Sequence, residues 1–498
     1  MKTKTFIYII LTSLVTWSCS DFLDLEPISE NTTASSYESY SQIEAALTGT
    51  YESFQSDAYV WNNILFQDVR SDNHYAGGDN TEIFEMDLLT ISATNSKVYQ
   101  SWSNIYNAIL KANVVLNRVD VINDPLLTDE RRIQMKGEAY FLRAYHYYNL
   151  VNLFGGVPLI LEPTTSTDES VVNVPRASAE AVFNQILSDC EKALELLPDV
   201  YGSDASINKA RATSGAANAL AAKASMQKSN PDYNQALLYI SQLESSSAAY
   251  QLIDYDHLFD GNHYNNAESI LEIQYLGGDE GNWGPQMLLP PSLSGDTWRK
   301  FITPSQDLVN AFEVEEDEIR KNASVLFEQV SWIDEYWGVE QPGNGNDKPN
   351  NVAFGYKWKN AMGWASTDRQ YIFRYGDIVL LKAEALNEIG SLSDAANLVD
   401  IIRQRVNLNP LPVEKRSSQE TLRLAILHER RLELAQEAQR WDDLVRYHVA
   451  VETMNNLAEI DLRNNQPVDY NMTEAKILLP IPQQELDRNP NLTPNPSN

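Results

Sequence analysis

The stretch Ala425 to Arg446, AILHERRLELAQEAQRWDDLVR, decides the fold of this chain. Its apolar residues recur at three- and four-residue spacing on two faces, which is typical of a helix that is buried on most sides. Charges on so apolar a helix must be paired or kept at the surface. Glu429 and Glu433 lie one turn apart, and we expect structural ion pairs with basic residues, the candidates being Arg143, Arg403 and Arg440. A catalytic pair of glutamates is the alternative.

The same stretch resembles the C-terminal motif of the SusD/RagB family, surface lipoproteins that capture nutrients for an outer-membrane transporter. Four further segments share the resemblance, namely CSDFLDLEP from Cys19, GEAYFLRAYHYYNLVNLFGGVPLI at 137–160, FRYGDIVLLKAEALNEIG at 373–390 and LLPIPQQELDRNPNLTPNP at 478–496. The resemblance implies a mostly α SusD-like fold, with tetratricopeptide-type helical hairpins, long loops and a few short strands.

Helical periodicity supports this fold along much of the chain. It predicts helices over residues 41–57, 96–121, 129–153, 177–197, 209–228 and 232–245. A later pair covers 372–389 and 393–405, with Gly390 suited to a left-handed cap and Ser393 to an N-cap. Residues 269–275, SILEIQY, read as a strand. We expect an N-terminal region, 37–230, and a C-terminal SusD/RagB region, 231–498, to pack as one globule.

The N-terminus has the layout of an export signal, with Lys2 and Lys4 before a short apolar run. We assign residues 1–18 to a lipoprotein signal peptide and 19–36 to a lipidated N-terminus and tether. Cys19 resembles the lipid-acceptor cysteine of bacterial lipoproteins. The resemblance therefore implies that acylated Cys19 anchors the protein in the lipid of the cell outer membrane, facing the exterior.

Charge and motifs exclude several classes of function. There are 38 basic and 69 acidic residues, so the formal net charge of −31 disfavours nucleic acid as a partner. Nucleotide-binding, zinc-protease and serine-hydrolase motifs are missing from the sequence. The six histidines show no metal-ligand spacing. We therefore expect a binding protein without catalytic residues, cofactor or metal, although oxygens of Asp72, Asp79 and Asn80 are an alternative calcium site.

Two stretches combine aromatic rings with polar side chains, the mixture that holds a sugar by stacking and hydrogen bonding. Residues 61–80 read as a loop, and residues 277–300 form another. The predicted ligand contacts are Trp61, Arg70, Asp72, Asn73, Tyr75, Trp283 and Trp298. Trp102 and Trp441 fall in helical patterns and are assigned to packing. A local positive pocket from Lys357, Lys359 and Arg369 would admit an anionic ligand.

The resemblance implies that this protein captures oligosaccharide or polysaccharide and delivers it to a SusC-like TonB-dependent transporter. Three alternatives remain open at this point. They are a peptide-capturing RagB-like subunit, a helical-repeat scaffold for a protein partner, and a cell-surface hydrolase.

Overall fold

The computed structural model describes residues 37–164, 166, 168–332, 337 and 350–495. Helices dominate it. The α-helices are α1 Tyr40–Glu52, α2 Thr81–Asp87, α3 Ser96–Arg118, α4 Asp129–Phe154, α5 Glu169–Val172, α6 Ala179–Leu196, α7 Ala205–Ala210, α8 Ser214–Gln227, α9 Tyr233–Glu244, α10 Gly284–Leu288, α11 Pro291–Ser294, α12 Gln306–Val314, α13 Glu318–Ser324, α14 Tyr375–Glu388, α15 Leu392–Arg405, α16 Gln419–Glu433, α17 Arg440–Arg446, α18 Ala450–Asn456 and α19 Gln483–Arg488. Residues 1–36, which include the proposed signal peptide, Cys19 and the tether, lie outside the described residues.

The N-terminal helices pack on their neighbours in the chain. Helix α4 lies against α3 and α6, and α8 lies against α6 and α9. Helix α8, SGAANALAAKASMQ, is buried along almost its whole length because its alanines let the neighbouring helices approach closely. The side chains of Thr128, Ser178 and Thr213 cap their helices by accepting backbone N–H bonds. The six helices that periodicity predicts here are confirmed, with boundaries that shift by a few residues.

The C-terminal hairpin of α14 and α15 is also confirmed, and α16 packs against both helices. Gly390 turns the chain between them with φ of +87°, in the left-handed region that glycine tolerates. The N-cap prediction, Ser393, is wrong by two positions. Helix α15 begins at Leu392, so Ser391 precedes it, and the Ser391 hydroxyl donates to Asp394 Oδ2 at 2.7 Å.

The stretch from Ala425 to Arg446 forms parts of two helices, not one. Helix α16 ends at Glu433, and α17 begins at Arg440. Between them Gln436 and Ala438 adopt positive φ angles of +64° and +54°. The Ala438 N–H donates to Asp68 Oδ2 at 3.0 Å, a contact that links the break to a distant part of the chain.

The two glutamates of α16 lie in a buried network of ion pairs, as expected for a structural role. Glu429 pairs with Arg403 at 2.9 Å and with Arg320 at 2.7 Å. Glu433 pairs with arginines too, namely Arg320, Arg374 and Arg405. Of the three expected partners, Arg403 is confirmed.

The other two expected partners are wrong because each arginine faces a different carboxylate. Arg143, on α4, faces α6 and donates to both carboxylate oxygens of Asp189 at 2.8 Å. Arg440 lies beyond the break that follows α16 and pairs with Asp72.

The strands form small antiparallel sheets of two strands each. The pairs join β1 His74–Ala76 to β3 Ile302–Pro304, β2 Ser269–Ile273 to β6 Gln370–Arg374, β4 Val325–Val330 to β5 Asn350–Gly355, and β7 Ile460–Asp461 to β8 Gln466–Pro467. The strand predicted over 269–275 is confirmed as β2. The β1–β3 pair places the first candidate stretch beside the residues that directly follow the second.

Candidate ligand-binding surface

The first candidate stretch is not an exposed loop. Residues 58–62 and 65–69 form wide helical turns, and β1 follows them. The five predicted ligand contacts in this stretch are all at least 97% buried: Trp61, Arg70, Asp72, Asn73 and Tyr75. The loop prediction is therefore wrong, and these side chains are covered by protein.

Asp72 and Asn73 bond to arginines of the buried ion-pair network, which we call the ionic core. Arg440 donates to both carboxylate oxygens of Asp72, from Nε at 2.7 Å and Nη2 at 2.8 Å. Burial alone would raise the pKa of Asp72, but the charges of Arg431 and Arg440 hold it well below its usual range. The Asn73 amide accepts from Arg431 Nε at 2.9 Å and donates to Asp68 Oδ1 at 3.1 Å. Both side chains thus fasten this stretch to α16 and α17.

Arg70 is held internally as well. Its guanidinium lies 4.3 Å from the ring centroid of Trp441 and donates to the carbonyl oxygen of Ile477 at 2.8 Å. Burial lowers the pKa of Arg70 to about 9. The assignment of Trp441 and Trp102 to packing is confirmed, since they are 1% and 4% exposed.

The alternative calcium site does not form among these residues. Both oxygens of Asp72 face Arg440, whereas Asp79 is exposed to solvent. The Asn80 side chain caps α2 by accepting from the Glu82 N–H at 2.9 Å. The three groups are therefore engaged in separate tasks.

The second candidate stretch does reach the surface, because Trp283 and Trp298 are half-buried. The Trp283 ring packs on Trp61 with 6.3 Å between centroids. Trp298 packs on Phe301 at 5.4 Å, and the buried Lys300 ammonium lies 4.0 Å from the Trp298 ring. The two candidate stretches thus meet, with Trp61 as the buried support behind Trp283.

A buried asparagine ties this stretch to the loop over 360–368. The backbone of Asn282 exchanges two hydrogen bonds with Ser366, of 2.8 and 3.1 Å, and its amide donates to the Asp368 carbonyl at 2.9 Å. The Asp368 carboxylate accepts the backbone N–H groups of Lys359 and Asn360, at 2.5 and 2.7 Å. Both ends of this loop are consequently fixed.

The tip of that loop presents an aromatic ring to solvent. Met362, Gly363 and Trp364 all have positive φ, of 48°, 62° and 77°. Such a run of left-handed residues is strained for non-glycine side chains. Trp364 is 48% exposed, the largest fraction among the described tryptophans, and Met362 is 60% exposed.

We call Leu276, Trp283, Met362 and Trp364 the platform. Helix α10, which starts directly after Trp283, packs beside the turn over 362–364. Leu276 is 78% exposed, and the adjacent Gly277 lies against Ala365. The platform therefore gathers apolar groups from both loops. Trp364 is not among the predicted ligand contacts because its sequence neighbours carry no periodic pattern, and the adjacent Gly363 is only a weak signal of a tight turn.

Comparison with known proteins shows which family this chain resembles. A family model described as "SusD family" matches residues 267–497. A second, described as "Starch-binding associating with outer membrane", matches residues 21–226. The chain belongs to the SusD family. The mostly α SusD-like fold expected from the sequence is confirmed.

Individual SusD relatives align along nearly the whole chain. SusD-like protein P2 of Formosa agariphila is 28% identical and covers 99% of this chain and 98% of its own. A solved structure named "Laminarin binding SusD-like protein" is 27% identical, with a TM-score of 0.74, and covers 93% of this chain and 100% of that chain. A SusD superfamily protein from Bacteroides vulgatus has a TM-score of 0.76 at 23% identity, with 92% and 99% coverage.

The positive pocket that Lys357, Lys359 and Arg369 could create in this SusD family member is not formed. Lys357 pairs with Glu437 at 2.5 Å, and Arg369 pairs with Glu272 at 2.5 Å. Lys359 donates to the Ala323 carbonyl at 3.0 Å. Burial lowers the pKa of Lys357 to about 8 and that of Lys359 to about 7. These cations are committed to the protein itself, whereas Asp279 and Glu280 on the loop after Leu276 are exposed.

Within the described residues, none of the helices combines the length and the apolar character needed to cross a membrane.

Proposed function

We propose that this protein binds oligosaccharides on the platform and passes them to a SusC-like TonB-dependent transporter. The observation that carries the proposal is the exposed ring of Trp364 on a strained turn. Strained backbone persists where the surrounding structure enforces it, and it is common at ligand clamps. An exposed aromatic face beside other apolar groups suits the C–H face of a sugar ring, because stacking there removes apolar surface from water.

A neutral glycan is the class of ligand that we favour. Lys357 and Arg369 are already paired with carboxylates and Lys359 is bonded to a backbone carbonyl, while Asp279 and Glu280 would repel carboxylate or sulfate groups. Amides and carboxylates at the rim, among them the exposed Asn360, can accept or donate bonds to sugar hydroxyls. The solved relative named for laminarin binding supports the same class and supplies a first probe.

The proposal also includes a lipid anchor on Cys19 and a partner transporter in the outer membrane. Cys19 follows an export signal in the sequence, and the family model that matches residues 21–226 is described as associating with the outer membrane. A lipid anchor on Cys19 would hold the platform outside the cell, where nutrient glycans are found. We propose that the protein acts by binding alone, in keeping with relatives that are named as binding proteins.

The test is a binding screen of the chain that lacks residues 1–19, with laminarin oligosaccharides, an acidic glycan and oligopeptides as probes. Calorimetry measures affinity, and tryptophan fluorescence reports the site. We expect Trp364→Ala to weaken laminarin binding at least about tenfold, because truncating a central aromatic contact commonly costs about 2 kcal/mol. The melting temperature should stay unchanged since the ring is half exposed.

The matched control is Leu238→Ala, which truncates another exposed apolar side chain on α9 and should leave affinity unchanged. Glycan affinity that survives Trp364→Ala would contradict the platform as the site. Saturable binding of oligopeptides alone would favour peptide capture, and release of reducing ends would favour a hydrolase. A stable protein complex without any ligand response would favour the scaffold.

A further inference from the structure

Three side chains that could bind a metal converge on a surface turn outside the platform. His257 lies near the end of a short helical turn over residues 255–258, and Asp260 and His263 lie in the bend that follows this turn. One potential ligand atom from each residue lies within 4.8 Å of the other two. The sequence predicts no metal site here, because His257 and His263 lie six positions apart without a known ligand motif, and only the fold of the bend brings them together with Asp260.

The carboxylate of Asp260 is already held in place for such a role. Its Oδ1 accepts the backbone N–H groups of Asn262 at 2.8 Å and His263 at 3.1 Å. Its Oδ2 is left to face His263 Nδ1, at 2.6 Å. Hydrogen bonds of this kind orient a ligating carboxylate and limit the entropy that binding costs. Oδ2 and an imidazole nitrogen are therefore presented together.

The imidazole rings are the adjustable part of the cluster. The rings of His257 and His263 stack with centroids 3.8 Å apart and an angle of 17° between planes. A metal lies in the plane of each imidazole that binds it, so one ring must turn about its Cβ–Cγ bond. The His263 ring is exposed to solvent, with 47% of its side chain accessible, so this rotation takes place at the surface and exchanges the bond of His263 Nδ1 to Asp260 for a metal bond. Ligand distances of about 2.0–2.2 Å are then reached by this ring rotation together with smaller shifts of the other two groups.

We propose that His257, Asp260 and His263 form a site for a divalent transition-metal ion of the Zn²⁺ class. Two imidazoles and one carboxylate are a donor set that suits this class better than Ca²⁺ or Mg²⁺, which prefer oxygen ligands. Three protein ligands leave at least one coordination position open. Water or an oxygen of a bound molecule fills that position.

The site lies next to the loop over 360–368, which carries Met362 and Trp364, and shares no residue with that loop. A Cβ on Gly261, in the middle of the bend, would lie 3.1 Å from the Asn360 amide nitrogen and 3.4 Å from Asp368 Oδ1. The Tyr264 hydroxyl also reaches Asp368 Oδ1, at 3.4 Å. A bound cation would therefore stiffen a segment that touches the support of Trp364. The metal site does not depend on which ligand the platform takes.

The experiment is a calorimetric titration of Zn²⁺ into the chelator-treated mature chain, repeated with His257→Asn, Asp260→Asn and His263→Asn. We expect one saturable site, weakened at least about tenfold in each variant because each loses a ligand. Zn²⁺ should also raise the melting temperature of the wild type but not of the variants. Co²⁺ bound at the same site should give the visible absorption of a complex with nitrogen and oxygen ligands.

His448→Asn is the matched control, since His448 is another exposed histidine and its φ of +59° is one that asparagine tolerates. Zn²⁺ binding should be unchanged in this control. Absence of a saturable site in the wild type would overturn the proposal. Affinity that stays unchanged in the three cluster variants would overturn it too, and it would assign the bound metal to other residues.

Discussion

The ionic core makes a quantitative prediction at Glu433. This carboxylate is fully buried and accepts from three arginines, Arg374 at 2.5 Å, Arg320 at 3.4 Å and Arg405. The change Glu433→Gln keeps the shape and one oxygen acceptor but removes the negative charge. Three buried guanidinium groups then lose a shared counter-ion.

The expected loss of unfolding free energy depends on which carboxylate partners the three arginines retain. Removing one partner of a buried ion pair costs about 3–5 kcal/mol. Arg374 and Arg405 both retain Glu268, at 2.9 and 2.8 Å. Arg320 retains Glu429 at 2.7 Å. We therefore expect the lower end, about 3 kcal/mol, which corresponds to a fall of about 3 °C in the melting temperature of a chain of this length.

The pH dependence tests the mechanism of this loss. Burial raises the pKa of Glu433, but the charges of Arg405, Arg374 and Arg320 outweigh that effect and hold it well below its ordinary value of 4.5. A carboxylate with a lowered folded-state pKa stabilises the fold above the unfolded pKa, and this contribution is lost as pH falls through the folded pKa. The difference between wild type and Glu433→Gln should therefore be full at about pH 6 and smaller at about pH 3.

Thermal and urea unfolding of both proteins across this pH range measure the effect. Glu313→Gln is the control, because Glu313 is 54% exposed and lies 3.8 Å from Lys321, so its loss should cost less than about 0.5 kcal/mol. The reasoning is refuted if Glu433→Gln is as stable as this control. It is also refuted if the difference stays constant down to about pH 3.

Three further predictions concern other buried groups. Burial raises the pKa of Asp87 to about 7 and that of its neighbour Glu459 well above its ordinary value, so stability should fall as pH rises from about 4 to about 7. Asp87→Asn should flatten this slope in urea unfolding, and an unaltered slope would contradict the assignment. Gly376→Ala should destabilise the fold by at least about 2 kcal/mol, because the new Cβ would collide with the Arg374 guanidinium. Thermal unfolding at the wild-type temperature would show instead that the Arg374 side chain moves aside without cost. Trp61→Ala should lower the unfolding free energy by about 3–5 kcal/mol, since the ring is only 3% exposed, and it should also weaken glycan binding. A loss of affinity without a loss of stability would show that the ligand contacts Trp61 directly.

Much of the fold could be predicted because helices are local. The spacing of apolar residues in α3 or α4 repeats over many turns, and a cap such as Thr128 lies beside the helix that it caps. The break after Glu433 could not be predicted in this way. Its apolar pattern continues through Ala438, and the group that stabilises the break is Asp68, some 370 positions earlier in the chain.

The candidate site was harder to predict for the same reason. Trp61 is followed by two asparagines and Trp364 by an alanine and a serine, so each ring has small or polar neighbours on one side in the sequence, yet one is buried and the other exposed. What separates them is a partner from elsewhere, since Trp283 covers Trp61. Asp72 has the composition of a ligand contact, but Arg440, 368 positions away, takes both of its oxygens. Residue type therefore indicates what a side chain can bind, while long-range contacts decide whether a ligand can reach it.

These contacts also connect the deciding stretch to the platform. Arg431 and Arg440, from α16 and α17, hold Asp72 and Asn73 in place. The segment that carries these two residues also carries Trp61, which supports Trp283 from behind. An ion pair buried in the core is not needed for net stability, because apolar residues of similar volume often serve as well. Its directional bonds do fix the register between distant segments, and a shift of that register would displace Trp283 in the proposed binding surface.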